Sequence, residues 1–297
     1  MRVGLALGGG GLTGTAFHAG VLTALASHFD AREADLIVGT SAGSTSAALM
    51  RSGFPPGDYV ARVCGQRLSA EGRRILGELP PLAAPKDAGP RLARPASVEV
   101  LRHVAMRPWR YPPGVSVSGL LPAGTRPMDG VNLFRAIFDD WPADPTWIVT
   151  LDLEAGRRVV FGRDLFAPVA DAVAASCAVP GYYEPVTIEG RRYVDGGAWS
   201  MVSLDLLADQ DLDLIICSAP MSTADWFARD FGNASRVPWR AQLDRERRKI
   251  SDRVIIVAPD KTMRAVMGST AMDGSRRAPV AKAAQEYASA VFERAGL

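Results

Sequence analysis

Cysteine is scarce in this chain. Its three residues, Cys64, Cys177 and Cys217, are far apart, odd in number and free of any C-x-x-C spacing, so neither a disulfide framework nor a thiolate zinc site follows. A reducing cytoplasm is the expected setting. Histidine is equally rare, with only His18, His28 and His103 as candidates for the commonest general base. Charge of one sign is missing too: 34 basic side chains stand against 32 acidic ones, a formal net charge of +2, so no long-range field draws the protein to nucleic acid. Only four of the 34 basic residues are Lys, a skew toward Arg that points to a GC-rich, bacterial genome. Long hydrophobic runs are lacking as well. The apolar stretch Val3 to Leu7 follows a single positive charge and is shorter than the roughly 7–15 residues of a signal-peptide core. Nothing elsewhere approaches the ~18–20 apolar residues of a membrane span. Any contact with lipid is therefore expected to be peripheral, at the inner face of the membrane.

What is present is a globular composition, 47% hydrophobic and 22% charged over 297 residues, enough to bury one large core. Val3 to Leu7 reads as a buried strand ending in four glycines, and Thr15 to Phe29 follows with Phe17, Val21, Leu22, Leu25 and Phe29 at helical spacing. The pattern recurs at once. Asp35 to Val38 is a strand, Gly39 to Gly43 a tight turn, and Ser44 to Arg51 a helix ended by Gly53. Two such units in succession predict a parallel sheet. Trp147 to Leu153 and Arg158 to Phe161 read as a hairpin, Arg192 to Val194, Leu212 to Cys217 and Val254 to Val257 as further strands, and Pro279 to Arg294 as a closing helix. Gly77 to Pro127 holds ten of the 21 prolines and has little periodicity, so it reads as an insertion over the core of a single α/β domain spanning 1–297. No internal repeat or low-complexity tail is present, and no oligomeric state follows from the pattern.

Three short motifs carry the chemistry. Gly39-Thr40-Ser41-Ala42-Gly43 fits G-x-S-x-G between a strand and a helix, where a serine sits on a sharp turn and the helix behind it directs its positive end at developing negative charge. Gly8-Gly9-Gly10-Gly11-Leu12-Thr13-Gly14 opens the first helix. Two jobs suit it besides close helix-to-strand packing. As G-x-G-x-x-G at Gly9, Gly11 and Gly14 it would hold a dinucleotide, with Asp30, Glu33 or Asp35 on the ribose. Alternatively, adjacent bare amides would bind the oxyanion of acyl transfer beside Ser41, which comes from the next strand. A P-loop is excluded, because no Gly-Lys-Ser/Thr follows. For a base, none of the three histidines is well placed, whereas Asp195-Gly196-Gly197 follows a strand and turns at once, presenting a carboxylate at the sheet edge. Seen alone it would pass for an ordinary turn.

Taken in this order, the glycine run continuing to Gly20-Val21-Leu22, the Ser41 turn, Ala175-Ser176-Cys177-Ala178-Val179-Pro180-Gly181 and Asp195-Gly196-Gly197 resemble the patatin-like phospholipase family. The likeness spans most of the chain. It implies a three-layer α/β/α sandwich with a mostly parallel central sheet, Ser41 and Asp195 as a catalytic dyad, and Gly9, Gly10 and Gly11 as the oxyanion hole. It also implies a lipid or other acyl ester as substrate, with no cofactor and no metal. Thr13 stands where many family members carry Arg or Lys, which puts a phospholipid preference in question. Phe54, Tyr59, Val60 and Leu68, with the Pro-rich insertion, are expected to form an acyl groove or lid. Trp109, Tyr111, Trp226, Phe227 and Trp239, beside Arg107, Arg110, Arg229 and Arg240, are expected to seat the protein on a bilayer. The rival readings are a nucleotide-binding protein using Gly9 to Gly14 and a lipid-binding protein of the same fold without turnover.

Overall fold

The computed structural model describes residues 1–76, 95–128, 132–222, 239–251 and 253–297. Its first unit is a strand β1 (Val3–Leu7) and a helix α1 (Gly11–Leu25), its second a strand β2 (Leu36–Thr40) and a helix α2 (Ala42–Arg51). Both helices start earlier than the apolar periodicity indicates. α1 begins inside the glycine run and stops at Leu25, where Leu25 O accepts the N–H groups of both His28 and Phe29 and tightens the chain into a turn.

Short helices α3 (Tyr59–Val63) and α4 (Ala70–Leu76) lead to residue 77, and 77–94 lie outside the described residues. The described part of the Pro-rich segment folds into a helical hairpin, α5 (Val98–Met106) and α6 (Pro113–Leu120), bridged at its base by Pro95 and Pro122. Ser97 caps α5 by accepting the Val100 N–H at 3.2 Å. Next come α7 (Asn132–Ile137), the antiparallel pair β3 (Thr146–Asp152) and β4 (Arg157–Phe161), and α8 (Val169–Cys177). α8 is buried on nearly all sides, so its sequence shows none of the alternation that marks a surface helix. The chain continues through β5 (Val186–Ile188), β6 (Arg191–Asp195), β7 (Leu214–Ser218), α9 (Trp239–Arg247), β8 (Arg253–Val257), α10 (Lys261–Met267) and α11 (Arg277–Ala295).

These strands form one sheet in the order β5-β6-β3-β2-β1-β7-β8, with β4 on the remaining edge of β3. The five strands from β3 to β8 along that path are parallel. Helices cover both faces. Alternation along β1 sends Val3, Leu5 and Leu7 into a core shared with α1, α2 and α11, while Ala6 joins Val38, Ile215, Leu204 and the α9 residue Leu243 on the other side. The expected three-layer α/β/α architecture is what the chain adopts.

One detail of register places the site. β2 and β6 both lie on the edge of β3 opposite β4: Thr40 is level with Val149, running parallel, and Asp195 is level with Thr150, running antiparallel. The two strands therefore meet end to end along β3, so the chain emerging after Thr40 arrives beside Asp195.

Candidate active site

Ser41 stands in the one-residue turn between β2 and α2, with φ 53° and ψ −121°. A non-glycine residue held there costs about 1–3 kcal/mol, which its surroundings must offset. Several contacts do so. Its N–H donates to Ser176 Oγ at 2.9 Å, and Ser176 Oγ in turn donates to Val149 O at 2.7 Å. Ser41 O accepts from the Ser44 N–H at 2.8 Å and the Ser44 hydroxyl at 2.6 Å. The glycine at 43 is required by space: a Cβ on it would stand 1.8 Å from Leu7 O.

Asp195 ends β6 and caps the following turn, its Oδ1 accepting the Gly197 N–H at 2.7 Å. Its own N–H donates to Ala178 O at 3.0 Å. The end of α8 thus holds both partners, Ser41 through Ser176 and Asp195 through Ala178. Burial raises the Asp195 pKa to about 6, against the opposing pull of hydrogen bonds from the Ser41 side chain and the Gly197 N–H. A carboxylate ordinarily too weak to take a hydroxyl proton is moved toward neutrality, the direction a general base needs.

The glycine run comes from the next strand. A Cβ on Gly9 would stand 3.4 Å from Ser41 Cβ, so this backbone lies against the serine. Gly9 itself corrects an expectation: its N–H donates to Met201 O at 2.7 Å and is not available to an incoming oxyanion. Gly10 and Gly11 are the N-cap and first residue of α1, and their N–H groups meet no acceptor among the described residues. This is the ordinary condition of a helix start, where the first turn of donors lacks intrahelical partners. Side chains are excluded on both. A Cβ on Gly10 would meet Gly14 Cα at 2.6 Å, and Gly11 has φ +58° with Ala271 O at 2.9 Å from its Cβ position.

All these groups line one cavity of about 320 Å³. Gly9, Gly10, Gly11, Ser41 and Asp195 lie along it, α6 adds Gly114, Val117 and Ser118, and Leu121, Val179, Met201 and Trp239 extend its apolar wall. Part of the Pro-rich insertion borders the cavity, but Phe54, Tyr59 and Val60 do not. They are buried in the core shared with α1 and α11, with Leu68 packed against it. Trp239 is likewise a buried cavity residue and not a surface anchor, while Trp226, Phe227 and Arg229 lie outside the described residues.

His18 is no rival base. It is fully buried, with Nε2 donating to Gly8 O at 2.7 Å and Nδ1 accepting from Ser218 Oγ at 2.8 Å, and burial lowers its pKa to about 4. Since a carbonyl can only accept, Nε2 carries the proton and both ring nitrogens are committed. The Cys177 thiol, pushed up to about 12 by burial and then by the Asp195 charge, stays protonated.

Of the acids proposed for a nucleotide ribose, Asp35 accepts the Val3 N–H at 2.7 Å, at the far end of β1 and about 13 Å along the strand from Leu7. Asp30 is paired with Arg32 at 2.6 Å, and Glu33 is exposed. No acidic anchor therefore stands near the glycine loop from this segment. Among the described residues, no group of three His, Cys, Asp or Glu side chains converges as a metal site.

A family model described as patatin-like phospholipase matches residues 5–208. The chain belongs to the patatin-like phospholipase family. Curated relatives include uncharacterised NTE family proteins of Mycobacterium bovis and Mycobacterium tuberculosis, 29% identical over 131 residues, in a match covering 39% of this chain and 35% of each relative. The chain thus spans about a third of the length of those relatives. Among solved structures, VipD from Legionella pneumophila has a TM-score of 0.45 and 13% identity over 99% of this chain and 66% of its own. The type III effector ExoU has a TM-score of 0.41 and 19% identity over 100% of this chain and 54% of its own.

In this member of the patatin-like family, Thr13 is fully buried and its N–H donates to Ala271 O at 3.0 Å, so the end of the glycine loop is pinned to the segment 270–272 that lines the cavity. Two residues that position the site, Ser176 and Met201, went unread as such in the sequence. Ser176 stands within residues 175–181, but only its long-range bonds show its task, and Met201 contributes a carbonyl that no side-chain pattern advertises.

Proposed function

We propose that this protein is a serine acyl hydrolase acting on fatty-acyl esters, with Ser41 as nucleophile, Asp195 as general base, and the Gly10 and Gly11 amides as oxyanion donors. The observation that carries the reading is that Ser41 and Asp195, close enough for the serine side chain to pull the Asp195 pKa down against burial, line one apolar cavity with Gly10 and Gly11, whose N–H groups meet no acceptor among the described residues. The acyl chain lies along Leu121, Val179 and Met201, and the carbonyl oxygen turns toward Gly10 and Gly11. Ser41 Oγ bonds to the carbonyl carbon while its proton passes to Asp195, and the carbonyl π pair becomes the oxyanion. Collapse breaks the bond to the alcohol oxygen, which leaves with the proton from Asp195. Water then attacks the acyl-enzyme, again losing a proton to Asp195, and the second collapse returns that proton to Ser41 and frees the fatty acid.

Each amide aimed at the developing oxyanion contributes on the order of 10²–10³ in rate, which compensates for a base weaker than imidazole. The α6 wall, drawn from the Pro-rich insertion, serves as cover for the cavity. The test is hydrolysis of p-nitrophenyl esters of graded chain length together with labelling by a serine-reactive phosphonate. Wild type is expected to turn over, to favour chains long enough to fill the cavity and to be labelled, and Ser41→Ala to do neither. Labelling that persists in Ser41→Ala places the nucleophile elsewhere.

A further inference from the structure

We propose that the α5–α6 arm docks this protein on an anionic lipid bilayer, seating the cavity beside its lipid substrate. The significance of this docking rests on the acyl-ester reading; the docking itself is tested without turnover. Among the described residues seven large hydrophobic side chains are exposed, and four of them, Val98, Met106, Trp109 and Leu120, fall on this one hairpin. Its tip, residues 105–110, is exposed at every position, with Trp109 at 79% and Met106 at 66%. Apolar groups are left so open to water mainly where something else covers them.

Charge identifies the occupant. Arg107 and Arg110 flank the tip, are exposed, and make no side-chain hydrogen bond or ion pair among the described residues. Glu99, the one acidic residue of the hairpin, sits at its opposite end, in the first turn of α5. An indole and a thioether beside two unpaired guanidinium groups suit the acyl and phosphate layers of a lipid surface, since Trp favours the interface and each basic residue close to an anionic surface strengthens binding about fivefold. Peripheral attachment also fits the helices, none of which, among the described residues, is long and apolar enough to cross a membrane.

Position ties the surface to the cavity. Gly114, Val117 and Ser118 of α6 line the cavity, and a Cβ on Gly114 would meet Ala198 O at 2.3 Å, three residues beyond Asp195. Trp109 is only five residues from Gly114, at most about 18 Å of chain. The other exposed Phe or Trp among the described residues, Phe166, borders a second cavity lined by Leu36 and Thr146, at the strand ends away from Ser41, and so serves as a control.

The experiment is cosedimentation of the full chain carrying Ser41→Ala with vesicles of phosphatidylcholine alone and of phosphatidylcholine mixed with phosphatidylglycerol. The parent is expected to bind the anionic vesicles and to release with added salt. Met106→Ser/Trp109→Ala is expected to weaken that binding at least about tenfold, and Arg107→Gln/Arg110→Gln about 25-fold, removing the preference for phosphatidylglycerol. Phe166→Ser is expected to bind as the parent does. The proposal is overturned if the parent ignores the anionic vesicles, if both arm variants bind like the parent, or if Phe166→Ser is the variant that releases. In the Ser41 background the arm variants are expected to keep hydrolysis of a short, soluble p-nitrophenyl ester. Absence of that hydrolysis in wild type would sink the enzymatic reading while leaving vesicle binding to be judged by itself.

Discussion

Around Ser41 and Asp195 the contacts are made by backbone groups and buried hydroxyls: Ser176 and Ala178 come from the end of α8, Met201 from the segment after β6, and Ser44 from the first turn of α2. The α5–α6 arm that borders the same cavity buries only Val100, Val115, Ser118 and Gly119 along its helices and turns Trp109 and Met106 outward. Under the proposed mechanism the first region tolerates no shift, because a hydroxyl, a carboxylate and two amides must converge within hydrogen-bond reach. The second needs only to stay near the cavity and meet whatever brings substrate. On that proposal, proton transfer is placed where sheet register fixes geometry, and access where few packing contacts do. Measurements that separate the two regions test that division.

The largest effect is expected at the dyad. Ser41→Ala and Asp195→Asn should each lower kcat for ester hydrolysis by about 10³-fold or more, and the double variant should be no worse than the poorer single one, because the two groups act as a unit. Circular dichroism should show both variants folded. Additive losses in the double variant would mean that the two side chains work independently.

Next is the dependence on pH. Asp195 must be ionised to accept a proton, so kcat/KM is expected to fall about tenfold per unit as pH drops below about 6, the value to which burial raises it. Stability follows a different course at Glu246, which accepts from Ser200 Oγ at 2.6 Å and from the Leu204 N–H at 2.9 Å. Burial, then the Asp205 charge, raises its pKa to about 7 from 4.5. A pKa raised on folding means stability fully present below about 4.5 and lost as pH climbs through about 7. Glu246→Gln mimics the protonated side chain. It is expected to leave stability unchanged at pH near 4 and to raise it above pH 7 by as much as about 3 kcal/mol. His18 works in the opposite sense: its pKa is depressed to about 4, so its contribution is present above 6.5 and lost as pH falls toward 4. Denaturant melts of wild type and Glu246→Gln across this range check the sign at Glu246, and a Glu246→Gln variant less stable than wild type at pH 8 contradicts it.

Ser176→Ala should have a smaller effect. It leaves the Ser41 N–H and Val149 O without a partner in a buried setting, a loss of about 1–3 kcal/mol in stability. Because Ser41 would no longer be held at its strained φ, kcat is expected to fall about 10–100-fold with KM little changed. A drop in melting temperature without any change in kcat would show that the turn holds itself.

How much of this was legible in the residues depended on whether the constraint was local. The Ser41 turn was readable because Gly39, on which a Cβ would meet Ser44 Cα at 2.6 Å, answers to a neighbour in the same turn, and the two α/β units because an apolar run and a helical period are local patterns; the demand that Leu7 O makes on Gly43 is not local. Asp195 could be singled out by motif order, but its meeting with Ser41 is a consequence of β2 and β6 sharing an edge of β3, which is a matter of register. Gly9 was misread for a related reason: an amide's direction depends on the backbone and on a carbonyl, Met201 O, from a remote loop. Phe54, Tyr59 and Val60 were misplaced because an apolar side chain after a helix looks the same whether it faces a core or a cavity. α8 escaped notice because a helix buried on all sides has no polar face to set a period.

The smallest expected effect lies within the arm and sharpens the comparison from its weaker side. Leu120 is 63% exposed, so Leu120→Ser removes little buried area and should change stability by no more than about 0.5 kcal/mol. Val100, twenty residues earlier on the facing helix, is fully buried, and a Cβ on Gly119 would stand 2.9 Å from its Cγ1. Val100→Ala takes two methyl groups from a tight contact between α5 and α6, which should cost about 1–2 kcal/mol if the hairpin unfolds with the rest of the domain. If the arm opens on its own, the cost falls on that local equilibrium instead: the global melt stays put while amide exchange in 98–120 accelerates. Measuring both quantities for both variants therefore distinguishes an arm that is a fixed wall of the cavity from one whose opening is separable from the sheet. A global destabilisation by Leu120→Ser as large as that by Val100→Ala would mean that the exposed face is packed after all.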